Sequence, residues 1–383
     1  MSFSEVPDES WPEEKLLDLV RLIGQGAAAD PLLSLSALEQ LSKRTIKDEV
    51  GVTKALLEAA RLRGESDPAT QMIVSCLISL CERSSMCLNM FAEELNNACT
   101  NENSAYCSSL VFKGLSQDRQ STLAPIIFDL ALQRGGSAML WIGSISYPEV
   151  RKVMAARVSI FLNSNSSNTI LRAAQIARVL SQPENSSSMV TVLDKAVSGW
   201  YGMMRKQIET EVCNYLSVNP DPAASNSLLQ ILKENTIPQI GKTIAAVSNE
   251  DLVSKLLDLA EASWREFQRE NNNAYEITYR VLQILPQISP QFFDVNKLLS
   301  AEDLIEIKGA NSGIRQVVAK IGKEAQPRLF ELLKSPKIPV YSFSVACLND
   351  IGTTQDEMAE AFEPPPMIQL ASFFFPGKNP ADL

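Results

Sequence analysis

The sequence predicts an all-α protein built as two helical lobes with a basic cleft between them. Apolar residues recur at helical spacing along the whole chain, and the alternation that marks half-buried strands is almost absent. The stretches between the periodic segments are rich in Asn, Ser and Pro, which interrupt helices. With 383 residues, 45% of them apolar, the chain can bury a large core and is too apolar to be disordered.

The first predicted helix shows the pattern clearly. Ser10 and Glu13 have the spacing of a capping box, and Pro12 lies in the first turn. Apolar side chains then form a stripe over 16–23, and Gly24 is placed to end the helix. The same spacing predicts further helices over 32–43, 53–63, 68–83, 86–99, 123–133, 149–162, 169–181, 189–215, 225–234, 251–269, 274–285, 301–307, 314–322, 326–334 and 340–351.

A domain boundary is predicted at 218–222. Pro220 and Pro222 lie within three residues there, and a continuous helix cannot pass through both. The predicted lobes are 1–218, with an acidic N-terminal arm, and 225–383, with a Pro-rich acidic tail. No repeat of fixed period is recognisable, which argues against a regular solenoid and leaves an irregular array of helix pairs open.

The N-terminus and the cysteines predict a cytosolic or nuclear protein. Residues 1–14 are acidic and lack the basic and apolar regions of a signal peptide, and no apolar run approaches the roughly 18 residues that span a bilayer. We therefore expect no membrane partner. The seven cysteines contain no Cys-x-x-Cys pair and are expected to pack as reduced, small apolar residues. Because the chain has no histidine, only an irregular all-thiolate site would remain for a metal, and neither metal nor cofactor is expected.

The net charge of −10 is concentrated at the two ends of the chain. Residues 1–20 contain six acids and one base, and residues 350–383 again contain six acids and one base, so each end contributes −5. Between them lie two basic stretches. Residues 134–206 contain nine bases and three acids, and residues 308–337 contain seven bases and two acids.

One basic stretch falls on each side of the predicted boundary. If both line the same cleft, they form a positive channel that suits a polynucleotide backbone, because each Lys or Arg can neutralise a phosphate. The alternative is that these charges are ordinary solvated helix faces. The predicted RNA-binding residues are Arg151, Lys152, Arg157, Arg172, Arg178, Arg205, Lys206, Lys242, Arg315, Lys320 and Lys323.

Aromatic residues near the basic ones are candidates for stacking on bases. These are Tyr147, Trp200 and Tyr201, with Trp141 close by in sequence. The competing interpretation is that tryptophans most often belong to the core.

The sequence does not predict an enzyme. Without histidine, Ser-His-Asp and Cys-His arrangements cannot form. Gly241, Lys242 and Thr243 are similar to the end of a phosphate-binding loop, but Thr236 stands where the first glycine is required, and no strand precedes it. A hydrolase or transferase of unfamiliar type, working through lone carboxylates or lysines, is the least favoured hypothesis.

The chain resembles the nucleoproteins of non-segmented negative-strand RNA viruses, on the bornavirus, nyamivirus and mymonavirus side of that group. The local resemblance lies in three short segments, 338–345, 369–376 and 378–380, which look like fragments of the C-terminal half of bornavirus nucleoproteins. They cover 19 of the 383 residues. Size, helical content, a two-lobe division and basic segments in both lobes also fit.

The resemblance implies a protein that encapsidates single-stranded genomic RNA and links with copies of itself into a helical nucleocapsid. The implied partners are a viral phosphoprotein and polymerase, and the implied location is the virion and the host cytoplasm or nucleus. Opposite charges on the ends and the middle of the chain favour head-to-tail contacts, which give open filaments. The alternative hypothesis is an irregular HEAT- or armadillo-like helical adaptor that binds protein partners.

Overall fold

A computed structural model describes residues 7–24, 31–62, 67–234, 237, 240–269, 272–307 and 311–361. The regular elements over these ranges are all helices, and no strand occurs among them, which confirms the all-α class. Contacts between residues divide the chain into two compact units, Met1–Val192 and Leu193–Leu383.

The helices of the N-terminal part are α1 (Glu13–Gly24), α2 (Pro31–Lys43), α3 (Glu49–Leu62), α4 (Pro68–Arg83), α5 (Ser85–Ala98), α6 (Glu102–Gly114), α7 (Gln117–Arg134), α8 (Ser137–Gly143), α9 (Pro148–Leu162), α10 (Ser167–Leu180) and α11 (Ser186–Val197). Those that follow are α12 (Arg205–Leu216), α13 (Ser225–Glu234), α14 (Ile240–Val247), α15 (Glu250–Phe267), α16 (Asn272–Ile284), α17 (Val295–Ser300), α18 (Glu302–Ile305), α19 (Asn311–Ile321), α20 (Gln326–Leu332), α21 (Ile338–Asp350) and α22 (Gln355–Glu360). Short 3₁₀ segments connect several of them.

The first unit is a stack of helix pairs. Odd-numbered helices pack on the next odd-numbered helix, from α1 through α3, α5 and α7 to α9, and even-numbered helices pack in the same way from α2 to α10. Each pair therefore contacts mainly the pair before it and the pair after it, which is the arrangement of helical-repeat proteins. The sequence left such an array open and could not identify it, because no two segments align at a fixed period.

Polar bonds between neighbouring pairs recur at similar separations along the chain. The indole Nε1 of Trp141 donates to the Ala105 carbonyl at 3.0 Å, 36 residues away, and the Ser116 hydroxyl donates to Glu82 at 2.9 Å, 34 residues away. The pairs are thus joined by contacts about one pair apart. The spacing of helices varies enough to hide this from a search for a fixed repeat.

The predicted capping box at the start of α1 is wrong. The Ser10 hydroxyl donates to Asp8 at 2.6 Å, and the Glu13 carboxylate accepts from the backbone N–H groups of Lys47 and Asp48, both at 2.8 Å. Glu13 therefore binds the chain that leads into α3 rather than its own helix. The contact of Glu13 with the next helix pair replaces the capping box that the local sequence predicts.

Helices of the second unit also pack on near neighbours. α14 contacts α12 and α13, α16 contacts α14, α15 and α19, and α21 contacts α19 and α20. The Pro-rich stretch predicted as a boundary lies inside this unit, between α12 and α13. Asp221 there accepts a hydrogen bond from the Ala223 N–H at 3.0 Å and caps a 3₁₀ turn. The structure instead divides the chain between Val192 and Leu193.

The single helix predicted over 189–215 is two helices, α11 and α12. Gly199 and Gly202 lie between them with φ angles of 87° and 51°, in the left-handed region that glycine adopts without strain. We call residues 198–204 the Trp200 loop. The prediction of one helix was wrong because it relied on apolar periodicity, which continues across this break.

Candidate nucleic-acid interface

Several predicted RNA-binding arginines of the first unit hold internal partners. The Arg151 guanidinium donates to the carbonyls of Ile145 at 3.0 Å, Leu180 at 3.2 Å and Gly143 at 3.3 Å. It thereby satisfies carbonyls at the ends of α8 and α10, where a cation is favoured by the helix dipole. Arg157 pairs with Asp129 at 2.7 Å and lies 4.8 Å from the centre of the Phe128 ring.

Other basic residues of this unit differ in their surroundings. Arg172 donates to Gln175 at 3.0 Å and is half-buried, whereas Arg178 is exposed on α10. Lys152 is exposed and has neither a hydrogen-bond nor an ion-pair partner within the described ranges. Lys152 is therefore the residue of this group whose charge is most available to a ligand.

In the second unit, Arg205 and Arg315 are tied to carboxylates. Arg205 pairs with Glu209, which is fully buried, at 2.6 Å and also with Glu234. Its hydrogen bond to Glu209 is the main cause that raises the pKa of Arg205 above its usual value. Arg315 donates two hydrogen bonds to the Asp350 carboxylate, of 2.5 and 2.8 Å. These bonds raise the pKa of Arg315 and lower the pKa of Asp350.

The lysines of this unit are less constrained. The Lys320 amine donates to the Pro286 carbonyl. Lys206, Lys242 and Lys323 are exposed, and the side-chain amines of Lys206 and Lys242 have no hydrogen-bond or ion-pair partner in the described part of the chain. A phosphate would thus meet Lys206 and Lys242 without displacing an existing partner.

Two of the aromatic candidates belong to the core. Trp141 is fully buried and bonded to Ala105, so its ring has no face open to a base. Tyr201 is only 7% exposed, and its buried hydroxyl has no hydrogen-bond partner in the described structure. Burial raises the pKa of Tyr201. Neither the Trp141 ring nor the Tyr201 ring can stack on a base in this structure. The third candidate, Tyr147, is half-buried at the start of α9.

Trp200 is the aromatic candidate that the structure leaves open. Its side chain is 75% exposed on the Trp200 loop, and that of Met203 is fully exposed. The buried Tyr201 anchors the loop between them. Lys195, five residues before Trp200, and Lys206, six residues after it, have no ion-pair partner in the part of the chain described. An exposed indole between two available lysines offers a stacking face and phosphate contacts close together in sequence.

An aromatic cluster on α15 and α16 was missed by the sequence analysis. The rings of Trp264 and Phe267 stack 5.2 Å apart, Phe267 lies 5.2 Å from Tyr275, and Tyr275 stacks on Tyr279 at 6.2 Å. Tyr275 and Tyr279 are 38% and 42% exposed. The signal was present as aromatic residues three and four positions apart on helices. Acids such as Glu266 and Glu276 accompany this cluster, so its sequence does not resemble a nucleic-acid site.

The first unit also carries a largely apolar groove of about 340 Å³ between α7 and α9. Its walls are mainly apolar side chains, and Glu149 and Arg157 contribute charges to its lining. Its apolar lining residues are Ala124, Pro125, Phe128, Val150, Val153 and Met154. The sequence analysis did not anticipate this groove, because its two walls are more than twenty residues apart.

The cysteines behave as small apolar residues. All seven are free thiols, and six of them are buried, with Cys99 half-buried. Burial raises the pKa of Cys76, Cys81, Cys213 and Cys347 to about 12, which keeps these thiols protonated. Over the described ranges, no group of three or more cysteine or carboxylate side chains could hold a metal ion.

Within the part of the chain that the structure covers, no helix combines the length and the apolar character needed to cross a bilayer. Comparison with known proteins assigns no family, because no family model matches the chain and no curated protein matches it.

Proposed function

We propose that this chain binds single-stranded RNA without sequence preference and assembles with copies of itself, in the manner of the viral nucleoproteins that it resembles. The observation that carries the proposal is Trp200, 75% exposed on a loop with available lysines on both sides. Stacking on an indole is tolerant of sequence because every base has a π face, and lysine contacts to phosphate carry no sequence information.

Among the predicted RNA-binding residues, the proposal favours exposed lysines over arginines that already have partners. Lys152, Lys206, Lys242 and Lys323 are exposed and are its main phosphate ligands, together with Lys195. Arginines bonded to carboxylates or carbonyls contribute less, because a phosphate must replace an existing partner. The proposal also includes a viral phosphoprotein and polymerase as partners and a location in a nucleocapsid.

Fluorescence titration of the RNA-free protein with a short uridine oligonucleotide tests the stacking role. Trp200→Ala is expected to weaken binding by about fivefold or more, since stacking on an aromatic side chain is worth roughly 1–3 kcal/mol per base. Met203→Ala is the matched control, because Met203 is exposed on the same loop but has no aromatic face. Binding measured by anisotropy of a labelled oligonucleotide allows both variants to be compared directly.

Lys206→Ala is expected to weaken binding less and to reduce the slope of log affinity against log salt by about 0.7, the loss of one phosphate contact. Equal affinity of Trp200→Ala and the wild-type protein would contradict the proposal at its central residue.

A second candidate function is a helical-repeat adaptor for protein partners. It is favoured by the stacked helix pairs of the first unit, because such arrays present extended surfaces to other proteins. Purification from a heterologous host separates the two. RNA carried with the protein, seen as a high ratio of absorbance at 260 to 280 nm and as rings or filaments in negative stain, supports the first candidate. Nucleic-acid-free monomers support the second.

A further inference from the structure

The outer face of α9 combines an exposed apolar residue with two opposite charges. Glu149, Val153 and Arg157 are spaced four residues apart and therefore lie on one face of the helix. All three line the groove between α7 and α9. Val153 is 72% exposed, and Ile160, seven residues further along, is 70% exposed. Two large aliphatic side chains are thus left in water on one helix.

Apolar side chains line both walls of the groove beside this face, together with Gln117 and Ser121 on α7 and the charged Glu149 and Arg157 on α9. Ala124, Pro125 and Phe128 contribute the α7 side, and Val150 and Met154 the α9 side. Pro125 lies inside α7 and has no N–H, so it cannot close the helical bond to the carbonyl four residues earlier. Apolar surface of this kind is stabilised when another surface covers it.

The charges of this face complement a second copy of the same face. If two α9 helices pack antiparallel about a two-fold axis at Val153, residues four before and four after it face each other. Glu149 of each copy then meets Arg157 of the other, and the two Val153 side chains meet at the centre. Packed helices lie about 8–10 Å apart, within reach of such pairs.

Both charged groups can make this contact without losing a partner. Glu149 is exposed and has no hydrogen-bond or ion-pair partner in the described chain. Arg157 uses its Nη2 group for Asp129, whereas its Nε and Nη1 groups have no acceptor among the residues that the structure covers. A guanidinium has enough donors to bind two carboxylates.

We propose that the Glu149–Val153–Arg157 face is an isologous contact with a second copy of this chain. The contact extends the proposed function, because a two-fold interface closes on itself and yields a pair, whereas a filament needs a separate head-to-tail contact. It does not depend on RNA binding.

Sedimentation velocity of the RNA-free protein over a range of concentrations tests this contact. The wild-type protein is expected to show a concentration-dependent dimer. Val153→Asp is expected to raise the dimer dissociation constant more than tenfold, because it places two carboxylates at the centre of an apolar contact. Met86→Asp is the matched control, since Met86 is 62% exposed on α5, and it is expected to leave the dimer unchanged.

A charge swap tests the antiparallel arrangement itself. Glu149→Arg alone sets two arginines against each other and is expected to weaken the dimer, and Arg157→Glu alone sets two glutamates against each other with the same result. The double variant restores both pairs and is expected to recover most of the affinity. Thermal melts followed by circular dichroism check that each variant is folded, because Arg157→Glu also loses its bond to Asp129.

Wild-type protein that stays monomeric at all concentrations, or a Val153→Asp variant that dimerises normally, would overturn the proposal. A double swap that fails to recover affinity while folded would overturn the antiparallel pairing. The Trp200→Ala variant is expected to dimerise as the wild-type protein does. Failure of Trp200-dependent binding with an intact dimer would count against RNA binding alone, so the two proposals fail separately.

Discussion

Arg205 illustrates how a basic residue can look like an RNA ligand in sequence and serve the fold in the structure. Its partner Glu209 is fully buried, and one oxygen of that carboxylate, Oε2, has no hydrogen-bond partner in the described structure. Arg205 therefore supplies the charge that a buried carboxylate needs. Its neighbour Lys206 is exposed and pairs with no carboxylate in the described structure.

Replacement of these two neighbours separates the roles. Arg205→Ala is expected to lower the free energy of unfolding by about 3–5 kcal/mol, because it leaves Glu209 buried without its partner. Lys206→Ala is expected to stay within about 0.5 kcal/mol of the wild-type protein, as exposed substitutions usually do. Urea denaturation followed by circular dichroism measures both. An Arg205→Ala variant as stable as the wild-type protein would return Arg205 to the candidate RNA ligands.

At the scale of elements, polar residues at helix ends connect neighbouring helix pairs. Asn101 precedes α6, and its side-chain oxygen accepts from the Ser104 N–H at 2.9 Å. Its amide nitrogen donates to the Arg61 carbonyl near the end of α3, at 3.4 Å. Arg61 in turn bonds the buried carboxylate of Glu94 on α5 at 2.8 Å. One short segment therefore ties three helices together.

Removal of the Asn101 cap is expected to destabilise α6. Asn101→Ala is expected to lower the free energy of unfolding by about 1–2 kcal/mol, because the first turn of α6 loses an acceptor. Asn101→Asp keeps that acceptor and is expected to cost much less. Thermal and urea denaturation of the two variants give the comparison, and equal losses would show that the cap is not the source of the effect.

At the scale of the whole molecule, we expect different regions of the chain to unfold independently of one another. Each helix pair of the first unit contacts mainly its neighbours, and the two compact units are separate groups of contacts. In arrays of this kind, opening of one region does not require opening of distant ones. A local substitution should therefore have a local effect on the exchange of amide hydrogens.

Hydrogen exchange followed by mass spectrometry checks this expectation with the Asn101→Ala variant. Peptides of the first unit around α3 to α6 are expected to exchange up to about tenfold faster, the equivalent of roughly 1.4 kcal/mol. Peptides of the second unit are expected to keep their wild-type rates. Uniformly faster exchange in both units would show that the chain opens as one cooperative block.

The sequence by itself determined the helical class, because apolar spacing is a local property that each helix carries in its own residues. Most helices therefore lie close to the segments where periodicity predicts them. The break at the Trp200 loop is encoded by Gly199 and Gly202, but apolar spacing continues across it. The stacking of helix pairs was not visible, because varying connections hide the repeat.

Only the tertiary structure decided which charges and rings are available to a ligand. Arg151, Arg205 and Arg315 each bind a group 29 to 35 residues away along the chain, and no local pattern specifies these distant partners. Trp141 and Trp200 are both tryptophans near basic residues in the sequence, yet one is fully buried and the other is 75% exposed. Helix formation depends on neighbours along the chain, whereas burial and ion pairing depend on neighbours in space.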